Sequence, residues 1–118
     1  NALLDNSKSV FSGLIKVEPE AQNTDSFQTN RNLLLSPEAE ADSLPGLEIL
    51  ANEVKCSHGA TTSKIDEQEL FYLQSRGMTK KQSEKLIVLG FFEEIIGQIK
   101  NETIIEELRN EVSNFFNL

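Results

Sequence analysis

Cys56 and His58 are the one cysteine and the one histidine among 118 residues, and they stand two apart in Val54-Lys55-Cys56-Ser57-His58-Gly59. On an extended strand side chains alternate with a period of two, so a thiol and an imidazole at this spacing share a side. They could approach one ion or one partner surface together. A closed zinc site takes four protein ligands, however, and this pair supplies two. The structural alternative is a small buried thiol beside a hydrogen-bonded histidine at a strand end. Ser57 faces the opposite way and is no nucleophile for His58. The chain has no G-x-x-x-x-G-K, G-x-G-x-x-G, H-E-x-x-H or C-x-x-C, the spacings that cradle phosphate or hold a catalytic metal. A Ser-His-Asp arrangement would have to be assembled from distant parts, so no self-sufficient enzyme is expected.

Composition narrows the partners. Net charge is −8, from 11 basic and 19 acidic residues, which argues against a nucleic-acid surface because that affinity rests on clustered Lys and Arg. Hydrophobic content of 38% and charged content of 25% suit one soluble domain. No apolar run approaches the roughly 20 residues that span a bilayer, so no membrane partner is expected. A single cysteine cannot close an internal disulfide, which points to a reducing compartment. Cytoplasm is expected, or plastid stroma for a photosynthetic eukaryote. The start at Asn1 suggests a processed or trimmed piece of something longer.

The elements that must position Cys56 and His58 change character just after them. Before the pair lie β-prone runs: Ser9–Gly13, Leu14–Val17, Thr24–Thr29 with Phe27 inward and Gln28 outward, Leu33–Leu35, Leu47–Leu50 and Val54–Cys56. Asn30-Arg31-Asn32 reads as a turn, and residues 38–43 as an exposed acidic loop. Strands of three to five residues between Asn, Gly and Pro corners suit a coiled parallel β-solenoid, with a small meander as the alternative.

After Ile65 the pattern is helical. Asp66 and Glu69 predict a capping box, and Leu70-Phe71-Tyr72-Leu73 a short helix buried on more than one side, ended by Gly77. Thr79 and Gln82 open a second helix running to about Ile99. Its apolar residues fill an arc of about 200°, twice the stripe of a surface helix. Gly90 and Gly97 in it predict close backbone approach, a kink or a tolerated defect. A third helix starts at Asn101 or Thr103, one-sided and with an acidic outer face.

Taken as a continuous string, the chain resembles the C-terminal part of the SufB/SufD family, scaffold subunits of the sulfur-mobilisation machinery for iron–sulfur cluster assembly. The resemblance rests on Ser9–Gly13, Ala21–Ser36, Leu47-Glu48-Ile49, Ala51–Thr61 and Leu70–Gly77, most of residues 9–92 in the family's order. Ser57-His58-Gly59 is more like SufD than SufB, while Thr61–Ile65 also resembles SufB.

What the resemblance implies is a mixed β-then-α fold: residues 1–62 as the last turns of a right-handed parallel β-helix, and residues 63–118 as a small three-helix domain. It implies a non-catalytic scaffold that pairs with a SufB-like subunit through the β-helix and binds the SufC ATPase through the C-terminal helices. His58 would be the interface histidine implicated in cluster assembly or iron acquisition, and Cys56 would align with the cysteine SufB uses. No stable cofactor is expected, only transient iron or an iron–sulfur cluster within the complex. The over-apolar second helix then suggests an ATPase-docking flank around Phe91, Phe92 and Ile96, with movement passed on through residues 63–66. The open end of a truncated β-helix predicts self-association. Two other functions compete: a free-standing adaptor without metal, and a metal-dependent β enzyme using His58.

Overall fold

A computed structural model describes residues 1–116. Its first unit, Asn1–Lys64, is built from β1 (Ala2–Leu3), β2 (Lys8–Val17), β3 (Asp25–Leu34), β4 (Glu40–Ile49) and β5 (Lys55–Lys64). Consecutive strands lie in different sheets, ordered β1-β3-β5 and β2-β4. Every pairing is parallel. Ala2 stands opposite Leu33, Lys8 opposite Glu40 and Asp25 opposite Lys55, so the chain returns to its own side after 31, 32 and 30 residues. A meander, which pairs consecutive strands antiparallel, is excluded.

Four local expectations are corrected. The strands from β2 to β5 run ten residues each, not three to five. Asn30-Arg31-Asn32 is no turn but part of β3, because the asparagines find partners across the interior instead of bending their own backbone. Asn32 Nδ2 donates to Ser43 Oγ at 3.2 Å and Thr62 Oγ1 at 3.3 Å, and Ser43 Oγ donates to Asn30 Oδ1 at 3.4 Å. The acidic segment leads into β4 from Glu40, whose carboxylate and that of Asp42 meet Lys8 Nζ at 2.9 and 3.2 Å across the two-stranded sheet. Phe27 and Gln28 are reversed: Phe27 is 69% exposed, and Gln28 is half-buried. Beside Asn30 and Asn32 the interior offers the hydroxyls of Ser43 and Thr62, so the polar row of that strand faces in. Val17, Leu33, Ala39 and Ala51 supply the buried apolar positions of this unit.

The second unit, Ile65–Leu118, holds α1 (Glu67–Ser75), α2 (Lys80–Ile96) and α3 (Glu102–Phe115). Asp66 caps α1 by accepting from Gln68 N at 2.8 Å. Gly77, at φ 95°, ends it in the left-handed conformation open to glycine. There Gly77 N donates to Gln74 O and Met78 N to Leu73 O, the paired bonds of a Schellman stop. Burial of α1 on several sides is corrected too: Phe71 and Tyr72 are 70% and 58% exposed, since only Leu70 and Leu73, three apart, turn inward.

At α2 the Thr79–Gln82 capping box forms in both directions, and Gly97 caps the far end, so the helix stops at Ile96. Asn101 starts α3 by accepting from Ile104 N at 3.3 Å. Arg109 Nε donates to Glu93 Oε2 at 2.9 Å and ties α3 to α2. That hydrogen bond holds the Glu93 carboxyl below the ordinary carboxylate range. The pair's contribution is therefore present at neutral pH and lost on acidification, and it is small because both side chains are about half exposed.

Gly90 lies mid-helix, and among the described residues a Cβ built there meets nothing within 4 Å beyond its own helix backbone. No close backbone approach requires the glycine. Gly90→Ala is expected to stabilise the helical unit by up to about 1 kcal/mol, read as a higher urea midpoint with an unchanged slope.

Candidate functional site

The parallel register of β3 and β5 decides where the thiol and imidazole lie. Ser26 stands opposite Cys56, Gln28 opposite His58, Asn30 opposite Ala60 and Asn32 opposite Thr62. These β3 residues are all half-buried or buried, while Phe27 and Thr29 are exposed. Cys56 and His58 thus occupy one inward-facing row. Even so, His58 is exposed and Cys56 only half-buried, because among the described residues β5 is the last strand of its sheet. Ser57 falls on the opposite face, beside Phe27.

Farther along the row the side chains are bonded to one another. Asn32, 2% exposed, accepts from Asn1 Nδ2 at 2.7 Å and directs its own amide to Ser43, Thr62 and, at 3.4 Å, the Thr61 carbonyl. The turn reading of residues 30–32 missed this hub. The signal was available in the period-two row Ser26, Gln28, Asn30, Asn32, which extends through the supposed turn. At the start of β5, Asn23, Asp25, Asn52, Glu53 and Lys55 border an open polar cleft.

Thiolate and imidazole suit iron, and the pair's chemistry fits half of a four-ligand site. Among the described residues no three His, Cys, Asp or Glu side chains gather to hold a metal. A site at this row needs donors from outside the chain. In the helical unit, Phe92 packs edge-on against Phe91 at 5.4 Å between centroids and lies 6.0 Å from the Phe116 ring. Both Phe91 and Phe92 are half-buried, whereas Ile96 is 6% exposed. No described helix is long and apolar enough to cross a membrane.

Residues 1–91 match the family described as SUF system FeS cluster assembly, SufBD core domain. The chain belongs to the SufBD family. It is 41% identical over 104 residues to the iron–sulfur cluster assembly protein SufD of Escherichia coli, covering 88% of this chain and 25% of that protein. It is 33% identical over 104 residues to SufD of Bacillus subtilis, covering 88% and 24%, and 39% identical over 105 residues to the chloroplastic protein ABCI7 of Arabidopsis thaliana, covering 89% and 22%. The chain therefore spans about a quarter of the length of these relatives. The SufBD match takes in the whole β unit, with Cys56 and His58, and continues through α1 as far as Phe91 in α2.

Proposed function

We propose that this chain is a SufD-like, non-catalytic scaffold in iron–sulfur cluster assembly and that it brings Cys56 and His58 to a site completed by another subunit. The observation that carries the reading is their adjacency on the inward row of an edge strand, where a thiol and an imidazole remain accessible at an end that no further strand covers. The parallel two-sheet winding is read as the last coils of a right-handed β-helix. Its final strand leaves main-chain groups available to a second chain. A SufB-like subunit is the proposed partner there, and self-association is the default when that partner is missing. Iron or a cluster is cargo at this site, ligated by thiolate and imidazole together with donors from across the interface. The setting is cytoplasmic or, in a photosynthetic eukaryote, stromal.

The helical unit is proposed to dock a SufC-type ATPase through the flank of α2 around Phe91 and Phe92, with the buried Ile96 supporting it. Phe92→Asp is expected to reduce ATPase capture in a pull-down by at least about tenfold, since a buried unpaired charge costs several kcal/mol. Unchanged capture by a folded variant would rule out that flank. The site itself is tested by metal analysis after anaerobic reconstitution with SufB-like and SufC-type partners. A scaffold of this kind carries iron that depends on His58, whereas a metal-free adaptor carries none that does.

A further inference from the structure

One polar atom on the inward row has no use in the fold. Gln28 Oε1 is buried and has no hydrogen-bond partner among the described residues, and such a group costs about 1–3 kcal/mol unless something satisfies it. Across the interior, a Cβ at Gly13 would fall 2.3 Å from Gln28 Nε2 and 2.7 Å from the Phe11 ring, so the glycine leaves the space that the amide fills. In the lateral direction Gln28 is the register partner of His58, on a neighbouring strand roughly 4.8 Å away.

The same two strands already show what such partners do. Two steps along the row Asn32 faces Thr62, and there Asn32 Nδ2 donates to Thr62 Oγ1 at 3.3 Å. A β3 amide thus bonds its own β5 neighbour inside this row. We propose that Gln28 is a positioning residue for His58: no hydrogen bond joins the two among the described residues, and a turn of the exposed imidazole about its own side-chain torsions brings one ring N–H to the buried Oε1, which fixes the tautomer and leaves the other nitrogen to face the incoming ligand. Partners of this kind orient metal-binding histidines in general. The assignment rests on the reading of His58 as a donor, yet the hydrogen bond itself can be tested without metal.

His58 is the only histidine of the chain, so its two ring nitrogens give one set of long-range ¹H–¹⁵N correlations in the labelled full chain. At a pH where the ring is neutral, the native chain is expected to show two well-separated ¹⁵N shifts, the mark of one dominant tautomer. Gln28→Leu should move them toward each other as the tautomers mix. Gln28→Glu, which keeps an acceptor oxygen, should restore the separation. Gly13→Ala, a change on β2 that displaces the amide while leaving the sequences of β3 and β5 intact, should reproduce the leucine result, and it decides the matter if Gln28→Leu does not fold. Ring shifts unchanged in a folded Gln28→Leu or Gly13→Ala chain would overturn the proposal. In the reconstituted complex, Gln28→Leu is expected to weaken iron retention about tenfold. Gln28-dependent ring shifts with iron retention indifferent to His58→Ala would keep the hydrogen bond and remove the functional reading. The reverse pattern would keep the reading and remove Gln28.

Discussion

His58→Ala is expected to strip the reconstituted complex of at least roughly tenfold in retained iron, the loss seen when merely a ligand's supporting partner is removed. Losing a ligand itself should exceed that. The ring is exposed on β5, so alanine there opens no cavity. Folding and partner capture should therefore survive, which separates loss of a ligand from loss of structure. Cys56→Ser is the companion measurement. Cys56 is half-buried on the same row, and serine nearly preserves its volume while removing the soft thiolate that iron prefers. Parallel losses from the two variants, non-additive when combined, would mark one shared site. Full iron retention in both, with the complex intact, would refute the assignment of these residues.

The largest stability effect is expected at Asn32. Its side chain is buried at 2% exposure and engages Asn1, Ser43, Thr61 and Thr62, drawing β1, β4 and β5 onto β3. Asn32→Ala removes the amide, opens a small void and leaves the Asn1 donor unsatisfied in a part-buried site. The combined cost is about 2–4 kcal/mol. Urea unfolding of the chain measures it, and a loss below about 1 kcal/mol would show that water replaces the network at little cost. Thr62→Val, at an exposed position of β5, cuts one of these bonds and should cost well under half as much. Because Asn32 helps hold β5 to β3, amide exchange in Asn32→Ala should rise first along 55–64, loosening the strand that carries Cys56 and His58.

Much of the candidate site was readable from local rules. Alternation with period two placed Cys56 and His58 on one side, and the structure keeps them on one row. The Thr79–Gln82 box and the Gly77 stop were legible because a cap is settled within a few residues of chain. Failures occurred where a distant partner decides. Asn30-Arg31-Asn32 has turn-forming composition, yet Ser43 and Thr62, 13 and 30 residues away, satisfy its asparagines and keep the backbone extended. Hydrophobicity alone points Phe27 inward and Gln28 outward, a rule that fails where the bonds of Asn30 and Asn32, on the same row as Gln28, fix which face of β3 turns in.

By itself, then, the sequence determined the β-then-α order, the shared side of the thiol and imidazole, the Gly77 stop, the Thr79 start and the likeness to SufBD proteins. Each of these is written in spacing and residue type along a short stretch. Only the tertiary structure decided that the shared side is the inward one, that Gln28 lies next to His58, and that β5 ends its sheet so the imidazole stays open to solvent. Alternation says which residues share a face. Which face turns inward depends on strands some thirty residues away, and no local pattern carries that information.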